Sequence, residues 1–202
     1  MGCISQSQPL QQQRRFRSTW ISVAVGLGLS LSQLACQHQH SSDRLTVASA
    51  GRIASLDPAQ ANTYGTLQLL SALGDTLYTR EQDSSLKPQL AAEQPQISDG
   101  GRTVTIPLRR DVLFHDGTRF DAEAMAFSLN RFLRIGIQSY VVGDRIEAIE
   151  TPASDVLRLR LSRPSSSLES LLTSPYLTPI SPTAYANHKD RFLNDRFIGT
   201  GP

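Results

Sequence analysis

The stretch that most restricts the possible folds of this chain is residues 108–132, LRRDVLFHDGTRFDAEAMAFSLNRF, in which a turn leads into a helix. Asp116-Gly117 is a turn dipeptide, because Gly adopts unusual backbone angles at little cost. Asp121 is a suitable N-cap, and Glu123 lies in the first helical turn, where the helix dipole favours negative charge. One face of this predicted helix is apolar and consists of Ala122, Met125, Ala126, Leu129, Phe132 and Leu133. We therefore expect a turn and a helix that packs against a core.

Segments on both sides of this stretch alternate between apolar and polar residues, as half-buried strands do. Residues 103–108, TVTIPL, predict one such strand. Pro107 lacks a backbone N–H, which argues for an edge position in the sheet. Residues 145–150 and 156–161 predict a hairpin around a turn at 151–155, with the leucines of the second strand facing inward.

The remaining segments predict a mixed α/β chain. Leucines at spacings of three and four indicate an amphipathic helix over residues 63–77. Residues 45–48 predict a short strand. A short helix is expected around residues 168–172, since the prolines that follow would end a longer one.

The composition excludes two classes of protein. Hydrophobic residues make up 39% of the 202 residues and charged residues 19%, which suits a globular protein with a core. The net charge is +2, but Arg14, Arg15 and Arg17 lie in the first 35 residues, where no acid occurs, so the rest is nearly neutral. We therefore expect neither a disordered chain nor a nucleic-acid partner.

The N-terminal residues predict a signal peptide over residues 1–35. The arginines precede an apolar run, residues 20–31, that is too short for a transmembrane helix. Leu34-Ala35-Cys36 then resembles a bacterial lipoprotein signal, which implies lipid attachment at Cys36 and a tether over residues 36–43, although Gln33 stands where that class favours Leu. An ordinary signal that is cleaved nearby and an uncleaved anchor remain alternatives.

His115-Asp116 is the pair that most invites a catalytic hypothesis. A Ser-His-Asp device needs a nucleophile and an orienting acid in space, whereas neighbouring residues of a strand point to opposite faces. We expect His115 to hydrogen-bond locally and Asp116 to form a turn. No CxxC, HExxH or strand-linked phosphate loop occurs. The sequence therefore predicts no catalytic residue, no metal site and no cofactor, while a secreted hydrolase that uses this pair remains an alternative.

Several segments, taken together and in order, resemble one family. They are Leu56-Asp57-Pro58, Leu77-Tyr78, Leu86–Ala91, Asp99–Arg109, Leu108–Thr118, Phe120–Glu123, Phe127–Arg131 and Ile198–Pro202. This pattern, which extends over residues 45–202, resembles the extracellular solute-binding proteins of family 5, the peptide- and nickel-type receptors of bacterial ABC importers.

The resemblance implies a two-lobed periplasmic-binding-protein fold of type 2, hinged around a ligand cleft. Family members continue well past the Gly-Thr-Gly-Pro segment, so residues 44–202 are expected to be a partial domain. That domain would be the N-terminal part of the first lobe with its extra subdomain, and the second lobe would be missing.

The function that the resemblance implies is substrate binding for an ABC importer, in particular peptide import, and not enzymatic catalysis. The implied partners are an oligopeptide or similar small solute, the permease subunits, and a membrane reached through the lipid anchor. The implied location is the periplasmic space. A membrane-anchored lipoprotein without a transport role, or an inactive remnant, is the alternative.

The expected ligand-facing part is the loop after the first strand, because loops at the carboxyl ends of strands in open α/β sheets face the cleft. Its candidate residues are Ala50, Gly51, Asn62, Thr63 and Tyr64. Peptides, nickel complexes and other small solutes all remain possible ligands.

Overall fold

The computed structural model describes most of the chain from residue 51 onward. The described residues are Thr46, Ala48, 51–141, 145–165, 167–186 and 196–201. The predicted signal peptide, Cys36, the tether and Ala50 lie outside them, as does most of the strand predicted over residues 45–48. The chain divides into two compact units, Met1–Val47 and Ala48–Pro202.

A four-stranded antiparallel sheet carries most of the core. Its strands are β3 (Gln96–Ser98), β4 (Thr103–Pro107), β5 (Ile146–Ala153) and β6 (Val156–Leu161), in the spatial order β3-β4-β6-β5. The predicted hairpin is confirmed, and Leu157, Leu159 and Leu161 of β6 are buried as expected. Its turn is shorter than predicted, because β5 continues through Pro152 with a register shift and leaves two residues between the strands.

The predicted edge position of Pro107 is wrong. β4 pairs with β3 on one side and with β6 on the other, so it is an interior strand. Pro107 is tolerated because its pairing partner β3 begins only at Gln96, opposite Thr105, so no β3 residue lies opposite Pro107 to require its missing N–H. The carbonyl of Pro107 instead accepts a hydrogen bond of 2.8 Å from the N–H of Ala92.

Helix α2, Ala122–Ile135, packs its predicted apolar face against the sheet. The Asp121 carboxylate accepts the N–H of Ala124 at 2.9 Å, which confirms the N-cap. Met125, Leu129 and Phe132 are buried in the main core. The helix ends at Gly136, whose N–H donates to the carbonyl of Phe132.

The helix predicted over residues 63–77 is shorter in the structure. α1 spans Tyr64–Leu73 and ends at Gly74, where the backbone becomes extended. Thr178 approaches so closely there that a Cβ on Gly74 would lie 2.3 Å from its methyl carbon. A hairpin of β1 (Tyr78–Arg80) and β2 (Leu86–Pro88), which was not predicted, follows the helix.

Two short helices complete the unit. α3 spans Leu168–Leu172, as predicted, and α4 spans Pro182–Tyr185. A second hydrophobic cluster, next to α1, consists of Ala61, Leu70, Ile180, Tyr185 and Phe197. This cluster packs α1, through Leu70, against Phe197 near the end of the described chain. Ala61, in the segment before α1, is buried in the same cluster.

Candidate functional site

The predicted ligand loop contains both exposed and anchored residues. Asn62 and Gly51 are exposed, and 77% of the Tyr64 surface is open to solvent. Thr63 is half-buried, because its side chain caps α1 by accepting the N–H of Thr66. Among the described candidates, therefore, Gly51, Asn62 and Tyr64 present groups to solvent and Thr63 holds the backbone.

The structure brings Gly51 next to the start of α1. A Cβ on Gly65 would lie 3.0 Å from the carbonyl oxygen of Arg52 and 3.0 Å from the carbonyl carbon of Gly51. Only Gly fits at position 65 without displacing this backbone, because the contacted atoms belong to the main chain. The close approach places residues 51–53 beside residues 62–64, and these two segments are called the loop surface below.

Two threonine hydroxyls join the segments of the loop surface. The Thr63 hydroxyl donates to the carbonyl of Arg52 at 2.7 Å, and the two hydroxyl oxygens of Thr63 and Thr66 are 2.9 Å apart. Each hydroxyl has one proton. The single Thr63 proton therefore has two acceptors within reach, the Arg52 carbonyl and the Thr66 hydroxyl oxygen, and the Thr66 oxygen also accepts the N–H of Ala54 at 3.2 Å.

A buried ion pair, which the sequence did not reveal, fixes residues 51–57 at their C-terminal end, Asp57. The two terminal guanidinium nitrogens of Arg131 on α2 each donate to one oxygen of the Asp57 carboxylate at 2.6 Å. The side chains are only 5% and 2% exposed, so each charge depends on the other for compensation. Asp57 also accepts the N–H of Ala59 at 3.0 Å. Both charged residues lie in segments that resemble family 5, which is the only sequence feature that links them.

His115 does not hydrogen-bond locally, so that expectation is wrong. Its backbone N–H donates to the carbonyl of Gly199 at 2.9 Å. Its Nε2 lies 2.8 Å from the carbonyl oxygen of Gly201, and its Nδ1 lies 3.3 Å from the N–H of Gly199. A carbonyl accepts only, so Nε2 carries a proton, whereas Nδ1 faces both the carbonyl oxygen of Phe197 at 3.2 Å and the N–H of Gly199. The His115 ring thus holds a segment more than eighty residues later in the chain.

Asp116 forms the predicted turn and also bonds beyond it. One carboxylate oxygen accepts the N–H and the hydroxyl of Thr118, and Gly117 has a φ of 79°. The other oxygen accepts the hydroxyl of Ser181 at 2.5 Å. Burial opposes ionisation of Asp116, but the hydrogen bonds from Ser181 and Thr118 outweigh it and hold its pKa below the usual value.

These contacts do not form a catalytic relay within the described structure. The Ser181 hydroxyl donates directly to Asp116, while both ring nitrogens of His115 face backbone groups. A nucleophile in a Ser-His-Asp device donates to the imidazole instead. His115 and Asp116 therefore form separate hydrogen bonds that connect one turn to two distant segments of the chain.

Two cavities lie away from the loop surface, and no sequence feature indicated either. A polar one of about 280 Å³ is lined by Asp99, Arg102, Thr103, Glu147, Arg160, Leu161 and Ser162. An apolar one of about 150 Å³ lies between α2 and α3, and its walls include Phe132, Leu171 and Tyr176. The described residues contain no group of three or more His, Cys, Asp or Glu side chains arranged to hold a metal. No helix in the described parts of the chain has the length and apolarity needed to cross a bilayer.

The fold matches a part of the periplasmic-binding-protein fold, about one third of the solved chains. The peptide-bound OppA of Listeria monocytogenes superposes with a TM-score of 0.69 at 22% identity, over 76% of this chain and 34% of that one. NikZ of Campylobacter jejuni in complex with Ni(L-His) superposes with a TM-score of 0.64 at 27% identity, over 75% of this chain and 30% of that one. The predicted mixed α/β fold class is thus confirmed.

The family follows from the sequence. The family model for bacterial extracellular solute-binding proteins, family 5 Middle, matches residues 85–202, which is more than half of the chain. The chain belongs to this family of solute-binding proteins, as its motifs predicted.

Curated relatives agree with this assignment. The glutathione-binding protein GsiB of Salmonella choleraesuis is 31% identical over 181 residues, 88% of this chain and 35% of the relative. GsiB of Shigella flexneri is 28% identical over 188 residues, 92% of this chain and 36% of the relative. The chain therefore spans about one third of the length of the curated relatives that it matches.

Proposed function

We propose that this chain acts in substrate binding for a bacterial ABC importer, and that its solute is a peptide or a peptide-like molecule. Family membership carries the proposal, because family 5 consists of extracellular solute-binding proteins. The relatives support the solute class. Matching curated proteins are named for glutathione, which is itself a short peptide, and two of the similar solved structures contain peptides.

The loop surface is the proposed contact region for the solute. It combines an exposed aromatic ring at Tyr64, an exposed amide at Asn62 and an exposed backbone at Gly51. Peptides bind to such surfaces through backbone hydrogen bonds, with apolar and aromatic groups to accept their side chains. Ala50, which precedes Gly51, and Thr63, which holds Arg52, belong to the same proposed surface.

The proposed cellular setting is the outer face of a membrane. Lipid attachment at Cys36 would hold the protein there, close to the permease subunits that receive the solute. Mass spectrometry of the mature N-terminus tests the anchor. We expect a lipid-modified Cys36 as the first residue, and an unmodified Cys36 thiol would contradict the anchor without affecting the proposed solute binding.

Calorimetric titration tests solute binding, with reduced glutathione and trialanine as probes. We expect saturable binding of at least one probe and a loss of about tenfold or more in affinity for Tyr64→Ala, as for an exposed aromatic anchor. Tyr140→Ala is the matched control, because Tyr140 is 74% exposed but lies outside the loop surface. Binding that both variants weaken equally, or no binding of either probe, would contradict the proposal.

A further inference from the structure

The first segment of the loop surface is held by Thr63 and by two side chains outside the predicted ligand set. Residues 51–57 run without helix or strand structure to the turn before α1. Arg131 holds this segment at Asp57, at the end away from the proposed solute. The end near the solute depends on hydrogen bonds to the first turn of α1.

Thr66 is the buried residue in those hydrogen bonds. It is fully buried at 0% exposure, so it offers no surface to a solute. Its hydroxyl oxygen accepts the N–H of Ala54, and it lies within hydrogen-bond distance of the Thr63 hydroxyl, which donates to Arg52. The loop surface is therefore tied to α1 through one buried hydroxyl and one half-buried hydroxyl.

We propose that Thr66 is a positioning residue for solute binding, which fixes the backbone of residues 52–54 beside residues 62–64 without contacting the solute. The inference rests on the proposed function, because it takes the loop surface as the contact region. A loop that is held in its binding conformation loses less conformational freedom on association than a free one, so its affinity is higher. Removing the hydroxyl should therefore lower affinity while every exposed contact group stays in place.

Three variants of the full chain test this role. Thr66→Val removes the hydroxyl and keeps the branched shape, whereas Thr66→Ser keeps the hydroxyl and should rescue the function. Ser71→Ala is the matched control, because the exposed Ser71 hydroxyl also bonds within α1, to the carbonyl of Leu67, but does not touch the loop surface. Circular dichroism melting establishes that each variant is folded.

Amide hydrogen exchange at Ala54 is the readout that does not need a solute. We expect exchange to rise roughly fivefold in Thr66→Val, the factor that corresponds to one neutral hydrogen bond. Thr66→Ser and Ser71→Ala should exchange like the wild type at Ala54. Unchanged exchange at Ala54 in a folded Thr66→Val variant would overturn the inference.

Titration with reduced glutathione and trialanine completes the test. Affinity should fall roughly fivefold in Thr66→Val and should recover in Thr66→Ser. Faster exchange at Ala54 without weaker binding would overturn the positioning role. If the wild type binds neither probe, the proposed function and its positioning residue fail together, whereas exchange at Ala54 still decides whether Thr66 fixes the loop.

Discussion

At the scale of single residues, the turn at His115 and Asp116 connects distant parts of the chain through polar side chains. His115 binds the backbone of Gly199 and Gly201, and Asp116 binds Ser181. Such residues appear catalytic in a sequence because they are polar and adjacent. Their partners follow only from the fold, so the sequence predicted the turn correctly and the partners of His115 wrongly.

The carboxylate of Asp116 should make stability depend on pH. Its pKa in the folded chain is below the usual value, so its ionised form stabilises the fold above the unfolded pKa of about 3.9. This contribution is lost as the pH falls through the folded pKa. Asp116→Asn removes it, so the wild type should lose more unfolding free energy than the variant between about pH 6 and pH 3.

Urea denaturation at the two pH values measures this difference. Ser181→Ala should change the profile in the same direction as Asp116→Asn, because it removes a donor that lowers the pKa of Asp116. A wild-type profile that coincides with that of Asp116→Asn would refute the assigned role of the carboxylate.

At the scale of elements, the ion pair between Asp57 and Arg131 joins the turn before α1 to α2. Arg131→Met should lower the unfolding free energy by about 3–5 kcal/mol, because Asp57 is left as a buried charge without its partner. The double variant Asp57→Leu with Arg131→Met should cost less than the sum of the single variants, as expected for a coupled pair.

Chemical denaturation of the four proteins in this cycle gives the coupling free energy. Glu150→Gln is the control, because Glu150 contacts Arg158 in a more exposed pair, and it should cost less than about 1 kcal/mol. A loss as small as this for Arg131→Met would contradict the structural role of the pair.

The segment that His115 binds also packs too closely to accept a larger residue. A Cβ on Gly201 would lie 2.5 Å from the carbonyl carbon and oxygen of Leu73, which are main-chain atoms at the end of α1. Gly201→Ala should therefore displace the segment, and the overpacking should lower the unfolding free energy by about 1–3 kcal/mol.

Hydrogen exchange distinguishes this displacement from simple destabilisation. The amides of His115 and Gly199 should exchange faster in Gly201→Ala, since each forms a hydrogen bond that the displacement breaks. Gly100→Ala is the control, because Gly100 has a φ of 65° but nothing within 4 Å of an added Cβ. Equal protection of both amides in the two variants would rule out the displacement.

Elements with strong periodicity were predictable, and those set by tertiary contacts were not. The sequence indicated α2, its Asp121 cap and the hairpin of β5 and β6 because their patterns are local. It overestimated α1, since the close contact of Gly74 with Thr178 is visible only in the fold. It also placed Pro107 at an edge, because it could not reveal that the paired part of β3 begins opposite Thr105 and leaves Pro107 without a β3 partner.

At the scale of the whole molecule, the described unit belongs to family 5, and its loop surface is the proposed contact region for the solute. The loop was predicted from the general placement of ligands at strand ends, but the sequence did not predict the side chains that hold the loop. Thr66 and Arg131 are buried polar residues whose partners, Ala54 and Asp57, follow from the packing of α1 and α2. The measurement that addresses this account most directly is a map of where a solute binds.

Nuclear magnetic resonance titration of the isotope-labelled chain with reduced glutathione gives such a map. We expect saturable shifts of the amides of Gly51, Asn62, Thr63 and Tyr64, with little change at Asp99 and the other residues of the polar cavity. Shifts confined to that cavity, or no saturable shift at the loop surface, would contradict the account.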